Sequence, residues 1–164
     1  MCPIIMKEFK ITVPVIMKTE DELNEQESRL LAEAKEATFR SYSPYSHFSV
    51  GAAVMLEDGS IVPGSNQENC AYPSGLCAER TALFFANSRY PEQAVTMLCC
   101  VARDTSGNFT ARPIPPCGAC RQVMVETEER FQRPMQVMLY GTDGVYILPS
   151  ARDLLPVNFD SSFL

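Results

Sequence analysis

Hydrophobic and polar positions along the chain follow two periods, that of an amphipathic helix and that of a buried strand. The first helical period runs from residue 20 to about residue 40, and its apolar face is formed by Leu23, Leu30, Leu31, Ala34 and Ala37. Thr19 and Glu22 have the spacing of a capping box, which predicts that the helix begins directly after Thr19. The Ser43-Pro44 pair is expected to end it.

Shorter apolar runs after this helix predict five strands and two further helices. The strands are expected at 48–56, 60–62, 94–101, 135–140 and 144–148, and the helices at 77–88 and 118–131. Asp58-Gly59 and Asp143-Gly144 are typical of tight turns between strands. The order α-β-β-α-β-α-β-β predicts an α/β fold, a three-layer α/β/α sandwich around a mixed five-stranded sheet.

The first nineteen residues differ from the rest of the chain. Phe9 to Met17 is rich in β-branched residues but contains Pro14, so it is predicted to be an edge strand or an extended arm. No linker or internal repeat divides the chain after residue 19. We therefore expect an N-terminal extension at 1–19 and a single domain at 20–164.

Composition narrows the classes of function. With 46% hydrophobic and 21% charged residues among 164, the chain is typical of a globular protein. It has no apolar run long enough for a membrane span, and Met1 to Lys10 lacks the pattern of a signal peptide, which predicts a cytoplasmic protein without a membrane partner. Fourteen basic against twenty acidic residues argue against nucleic acid as the partner and favour a small molecule.

Seven cysteines in a chain without an export signal are expected to be thiols or metal ligands rather than disulfides. Cys2, Cys70, Cys99 and Cys100 lie in ordinary or apolar surroundings and are interpreted as structural. The other three lie in motifs.

Cys117-Gly118-Ala119-Cys120 places two thiols at a predicted helix start, where they could share a metal or form a redox pair. Cys77-Ala78-Glu79, at another helix start about forty residues upstream, adds a third sulfur and a carboxylate. This combination is the known signature of zinc deaminases. Three protein ligands leave one tetrahedral position open, as in a catalytic zinc site.

Beyond these motifs, several stretches resemble the homotetrameric cytidine deaminases of the cytidine and deoxycytidylate deaminase family. They are Tyr45 to Ala53, Asn66 to Tyr72, Cys77 to Ala82, Pro116 to Val123 and the tail Leu154 to Phe159. The resemblance covers about residue 25 to residue 160, in the family's order. The chain departs from the pattern in its first twenty or so residues and in the long loop 104–115.

The resemblance implies hydrolytic deamination of free cytidine and 2′-deoxycytidine to uridine and deoxyuridine, in pyrimidine salvage. It implies one Zn²⁺ per chain, held by Cys77, Cys117 and Cys120. Glu79 would transfer protons, and Arg80 would hydrogen-bond the cysteine sulfurs and reduce their electron donation.

The same resemblance assigns the substrate contacts. Asn66 and Glu68 would bind the ribose, mainly at its 3′-hydroxyl, while Phe48 and Phe159 would be the aromatic contacts. In this family the phenylalanine of the tail reaches a neighbouring subunit's site, so a homotetramer with shared active sites is implied.

Other interpretations remain open for the sequence alone. The three cysteines could form a structural zinc site in a binding module, or the enzyme could act on another aminated base, a nucleoside antibiotic or cytosine within nucleic acid. Asn66 and Glu68 could be turn formers, and Phe48 and Phe159 could be core residues. His47 is interpreted as a surface residue rather than a ligand, and the acidic run 126–129 as a solvated helix end.

Overall fold

Six strands and three α-helices make up the computed structural model, which describes residues 7–164, so the prediction for Cys2 lies outside it. The strands are β1 (Ile16–Lys18), β2 (Ser49–Leu56), β3 (Ile61–Ser65), β4 (Val95–Arg103), β5 (Gln136–Gly141) and β6 (Gly144–Leu148). The helices are α1 (Glu25–Ala37), α2 (Ala78–Arg89) and α3 (Gly118–Phe131). Short 3₁₀ helices lie at Glu20–Glu22, Thr38–Arg40, Tyr72–Ser74, Ala151–Leu154 and Ser161–Phe163.

The strands form one mixed sheet in the order β1-β6-β5-β4-β2-β3. Only the β4–β5 pair is parallel among the described strands. Alternate residues of β2 point to opposite sides: Ala52 and Val54 join the core beneath α2 and α3, whereas Ala53 and Met55 join the core beneath α1. The predicted three-layer α/β/α sandwich is therefore confirmed, with α2 and α3 side by side on one face.

The sheet has six strands where the sequence predicted five, and the added strand comes from the N-terminal segment. β1 pairs antiparallel with β6, with Met17 opposite Tyr146. Pro14 has no N–H and ends the region that could pair, but the residues after it can bond the free edge of β6. The segment was predicted as an edge strand or an arm, and it supplies a short edge strand.

Helix α1 begins at Glu25, so the predicted start after Thr19 is wrong. Thr19 caps the separate 3₁₀ helix Glu20–Glu22, and Leu23 then takes an extended conformation. Asn24 starts α1 through a second capping box, in which its Oδ1 accepts from the Glu27 N–H at 2.9 Å. Two caps in succession thus divide the segment that the apolar period had joined.

The structure agrees with the structural role predicted for Cys99 and Cys100, but it contradicts part of the prediction for the acidic run 126–129. Cys99 and Cys100 are fully buried on opposite faces of β4, as a structural role requires. Glu128 is only 5% exposed, so the expectation of a solvated acidic helix end is wrong for this residue. Its Oε1 accepts from the N–H groups of Met135 and Ala151 at 2.6 and 2.8 Å, which ties α3 to the two segments beside it.

Within residues 7–164, no helix combines the length and the apolar character needed to cross a bilayer.

Candidate metal centre and adjoining pocket

Two helix N-termini bring three sulfurs together on one face of the sheet. Cys77 is the N-cap of α2, Cys117 is the N-cap of α3, and Cys120 lies in the first turn of α3. The Sγ atom of Cys117 lies 3.8 Å from that of Cys77 and 3.5 Å from that of Cys120. Tetrahedral zinc with Zn–S bonds of about 2.3 Å separates its sulfur ligands by about 3.8 Å. The cluster, whose ligand atoms all lie within 4.8 Å of one another, fits a zinc site.

The protonation of these sulfurs is uneven. A hydrogen bond from Cys120 and a further one from Arg80 lower the pKa of Cys77 to about 5, against the opposing effect of burial. The pKa of Cys120 is raised, first because its thiol donates to Cys77 and then because it is buried. Both α-helix N-termini add partial positive charge near the sulfurs. The lowered pKa therefore favours the thiolate form of Cys77, which is the form that binds metal.

Glu79 lies in the first turn of α2 and is 4% exposed. Its Oε2 atom has no hydrogen-bond partner within the described chain. Burial raises the pKa of Glu79, and the negative charge of Cys77 adds to the effect. A buried carboxyl with an unpartnered oxygen and a raised pKa is suited to accepting and releasing a proton.

Arg80 provides positive charge beside the cluster. Its Nη2 atom donates to the Cys77 Sγ at 3.6 Å, which is the contact expected from the sequence. Three thiolates around one Zn²⁺ have a net charge of −1, and a guanidinium at this distance reduces the electron density on the sulfur.

A cavity of about 570 Å³ adjoins the cluster and is within the size range of small-molecule sites. Cys77 and Arg80 line it, and Asn66 and Glu68 also lie along its wall. The structure thus brings the predicted sugar-binding residues to the pocket that Cys77 and Arg80 line. Within the described chain, Glu79, Cys117 and Cys120 are not among its lining residues.

The two polar residues of this wall are held differently. The amide of Asn66 accepts from the Val50 N–H at 2.8 Å and donates to the Phe48 carbonyl at 3.0 Å. These bonds join the residue after β3 to the start of β2. Glu68 accepts the N–H groups of Tyr45 and Ser46 through Oε2 alone, at 2.9 and 3.2 Å. Hydrogen bonds from the Ser46 side chain and the Tyr45 backbone lower the pKa of Glu68, so the carboxyl is held in its charged form, which accepts hydrogen bonds.

Neither predicted aromatic contact lines this pocket within the described chain. Phe48 is half-buried. Phe159 is 58% exposed and stacks on Phe163, with ring centroids 5.7 Å apart. The roles of both residues stay predictions.

The pocket contains two aromatic residues to which the sequence patterns gave no role. Tyr45 and Tyr72 line it and form an edge-to-face pair with centroids 6.5 Å apart. Both occur within stretches that carry the family resemblance, in polar loops where a tyrosine has no core to enter. That position was the available signal for a binding role.

His47 is exposed and lies outside the cysteine cluster, as the sequence predicted. All six cysteines of the described chain are free thiols.

Comparison with known proteins gives consistent results. The family model for the "Cytidine and deoxycytidylate deaminase zinc-binding region" matches residues 24–133. A cytidine deaminase of Halalkalibacterium halodurans is 50% identical over 97 residues, which are 59% of this chain and 68% of that protein. A probable cytidine deaminase of Dictyostelium discoideum is 38% identical over 143 residues, 87% of this chain and 90% of that protein.

Solved structures with the same architecture include a cytidine deaminase from Burkholderia pseudomallei. It has a TM-score of 0.69 and 40% identity, and the match covers 80% of this chain and 97% of that one. A cytidine deaminase from Mycobacterium tuberculosis has a TM-score of 0.62 and 32% identity, with 80% and 95% covered.

Proposed function

This chain belongs to the cytidine and deoxycytidylate deaminase family, and from that premise we propose that it hydrolyses free cytidine and 2′-deoxycytidine to uridine and deoxyuridine plus ammonia. The observation that carries the proposal is the convergence of three sulfurs, one of which (Cys77) lines a pocket of nucleoside size, with the buried carboxyl of Glu79 two residues further along the same helix start. Such a reaction returns aminated pyrimidine nucleosides to the uridine pool, which is the chemistry of pyrimidine salvage.

Cys77, Cys117 and Cys120 would hold one zinc ion per chain. When bound, zinc acts as a Lewis acid that lowers the pKa of a coordinated water. Arg80 and the two helix N-termini offset the charge of the three thiolates, so that the sulfurs donate less electron density than they would in isolation.

Glu79 moves the protons of the reaction. Its carboxyl takes one proton from the attacking water and delivers it to N3 of the cytosine ring, which makes C4 more electrophilic. It then takes the second proton of that water and delivers it to the 4-amino group, which leaves as ammonia. Its burial and raised pKa favour both the acceptance and the release of a proton.

Substrate recognition is proposed to use Asn66 and Glu68, which line the same pocket as Cys77. Oε1 of Glu68 would accept from a ribose hydroxyl, and Asn66 would support the pocket wall while offering its amide to the sugar. Phe48 would lie against the nucleoside from the start of β2. The net charge of −6 disfavours a polynucleotide substrate.

Assembly is proposed from the C-terminal segment. Val157, Phe159, Phe163 and Leu164 are exposed by 76%, 58%, 70% and 97%. Apolar side chains exposed together mark an interaction surface. We propose that the enzyme is a homotetramer in which Phe159 serves a neighbouring subunit's pocket.

Two broader expectations stay predictions. Residues 20–164 are proposed to form one deaminase domain, with 1–19 as an extension. The cytoplasmic location is likewise a prediction from the sequence.

The test is a spectrophotometric assay that follows the loss of cytidine absorbance, with and without a zinc chelator. Cytidine, deoxycytidine, cytidine monophosphate and a cytosine-containing single-stranded DNA are compared. Zinc-dependent turnover of the two nucleosides alone is the expected result. Zinc binding without turnover of any of the four would instead identify a structural zinc module, and turnover of the DNA would overturn the substrate class.

A further inference from the structure

Arg121 of α3 holds the peptide groups on both sides of Cys117. Its Nε atom donates to the carbonyl of Pro116 at 2.8 Å. Its backbone N–H donates to the carbonyl of Cys117 at 3.0 Å. The bond to Cys117 is the ordinary first-turn bond of α3, which any residue at this position would make, whereas the bond to Pro116 comes from the arginine side chain.

The loop that leads to Cys117 has few backbone donors with which to anchor itself. Three of the four residues before the cysteine are prolines (Pro113, Pro115 and Pro116), and proline has no N–H. Cys117 is itself exposed. The side chain of Arg121 therefore supplies an anchor that the loop's own sequence lacks.

The same guanidinium also reaches the C-terminal segment. Nη1 of Arg121 donates to the carbonyl of Leu154 at 3.0 Å, where the 3₁₀ helix Ala151–Leu154 ends. The next helix residue, Gln122, donates through Nε2 to the carbonyl of Phe159 at 2.8 Å. Two successive side chains of α3 hold the segment that carries Phe159.

We propose that Arg121 is a positioning residue that sets Cys117 for metal binding and seats the start of the C-terminal segment against α3, while Gln122 holds that segment at Phe159. Two backbone carbonyls in different directions require the planar fork of arginine, which the single ammonium of lysine does not replace. The effect on turnover rests on the proposed function, whereas the effect on zinc affinity does not.

The first test measures zinc affinity of the full-length apoprotein by competition with a chromophoric chelator. R121M keeps an unbranched apolar stem and removes both side-chain bonds, so zinc affinity should fall about 10–100-fold, the range for residues that orient metal ligands. R130M is the matched control, because Arg130 lies on the same helix and its Nη2 donates to the Pro91 carbonyl at 2.8 Å, away from the cysteines. It should bind zinc like the wild type.

The second test separates the effect of the Arg121 contacts from that of the Gln122 contact with Phe159. Q122A removes the bond to Phe159 and leaves the Arg121 bonds to Pro116 and Leu154 intact, so it should keep wild-type zinc affinity and wild-type kcat while raising KM for cytidine. R121M should lower zinc affinity and raise KM together. The visible spectrum of the Co²⁺-loaded protein should change for R121M and stay unchanged for Q122A and R130M.

Wild-type zinc affinity and an unchanged Co²⁺ spectrum in R121M would overturn the proposal. Should R121M fail to fold by circular dichroism, R121K is measured instead, and an affinity equal to that of the wild type would overturn it equally. A wild-type protein that binds zinc but does not deaminate cytidine would contradict the proposed function while leaving the affinity test of Arg121 intact.

Discussion

The Sγ atoms of Cys77 and Cys117 lie 3.8 Å apart although 40 positions separate the residues in sequence. Each cysteine is the N-cap of its own helix, and the two helices pack beside each other on one face of the sheet. The geometry of the metal cluster therefore depends on how α2 and α3 pack against each other.

Removal of any cluster thiol should remove both zinc and activity. Cys77→Ala, Cys117→Ala and Cys120→Ala each take away one of three ligands, while the wild type is expected to hold about one zinc per chain. Atomic absorption and the cytidine assay give the two readouts. Cys99→Ala is the matched control, because this buried cysteine lies on the sheet face away from α2 and α3, and it should retain zinc and turnover. A fully active, metal-free preparation would contradict the mechanism.

Glu79→Gln should separate proton transfer from metal binding. Glutamine has nearly the same size but cannot carry the proton, so kcat should fall by roughly 10²–10⁴-fold. Zinc content should stay at the wild-type level. Loss of zinc in this variant would show instead that the carboxylate is a metal ligand.

Glu68→Ala should affect substrates according to whether they carry a sugar. The substitution removes a binding group remote from the reacting atoms, so kcat/KM for cytidine should fall much more than any rate on free cytosine. Glu68→Gln keeps an acceptor oxygen, so its kcat/KM for cytidine should lie between that of the wild type and that of Glu68→Ala. Equal losses on cytidine and cytosine would make Glu68 a purely structural residue that holds the Tyr45–Ser46 turn.

The N-terminal strand should contribute stability that depends on pH. Lys18 of β1 donates to both oxygens of Glu27, at 3.0 and 2.8 Å, and the Glu27 side chain is only 3% exposed. Burial by itself would raise the pKa of Glu27, but the bonds from Lys18, Asn24 and Gln136 outweigh it and lower that pKa. This stabilisation is complete above the unfolded-state pKa, about 4.3, and is lost as pH falls through the lower folded-state value.

Lys18→Met leaves the buried carboxylate without its charged partner and should cost about 1–3 kcal/mol at pH 7 in urea unfolding. The difference from the wild type should shrink at acid pH, where Glu27 is protonated. Arg40→Met breaks the exposed pair with Glu36 and is the control, with an expected effect below about 0.5 kcal/mol. A loss in Lys18→Met that is constant with pH would point to packing rather than charge.

Shared active sites should show as complementation. Phe159→Ala and Glu79→Gln are each refolded alone and then together. In a mixed oligomer, a pocket with intact Glu79 can receive Phe159 from a Glu79→Gln neighbour. Activity above that of the two separate preparations is expected, and its absence from oligomers shown by mass spectrometry to be mixed would place Phe159 within its own chain.

Local patterns in the sequence determined much of this fold. The bounds predicted for α3 and β6 agree with the structure, because helix starts and tight turns are set by residues within a few positions of each other. The same holds for the chemistry of the cluster, where the C-x-x-C spacing and the Cys77–Glu79 pair predicted the residues that converge.

Tertiary structure alone decided the features that depend on distant partners. β1 became a sixth strand because the edge of β6 offered it unpaired backbone groups. Glu128 became buried because Met135, just before β5, and Ala151, after β6, brought N–H donors to it. The Arg121 side chain is likewise held beside Cys117 by hydrogen bonds to the carbonyls of Pro116 and Leu154. A sequence pattern records the preferences of neighbouring residues, whereas a hydrogen bond between distant segments exists only once packing has brought donor and acceptor together.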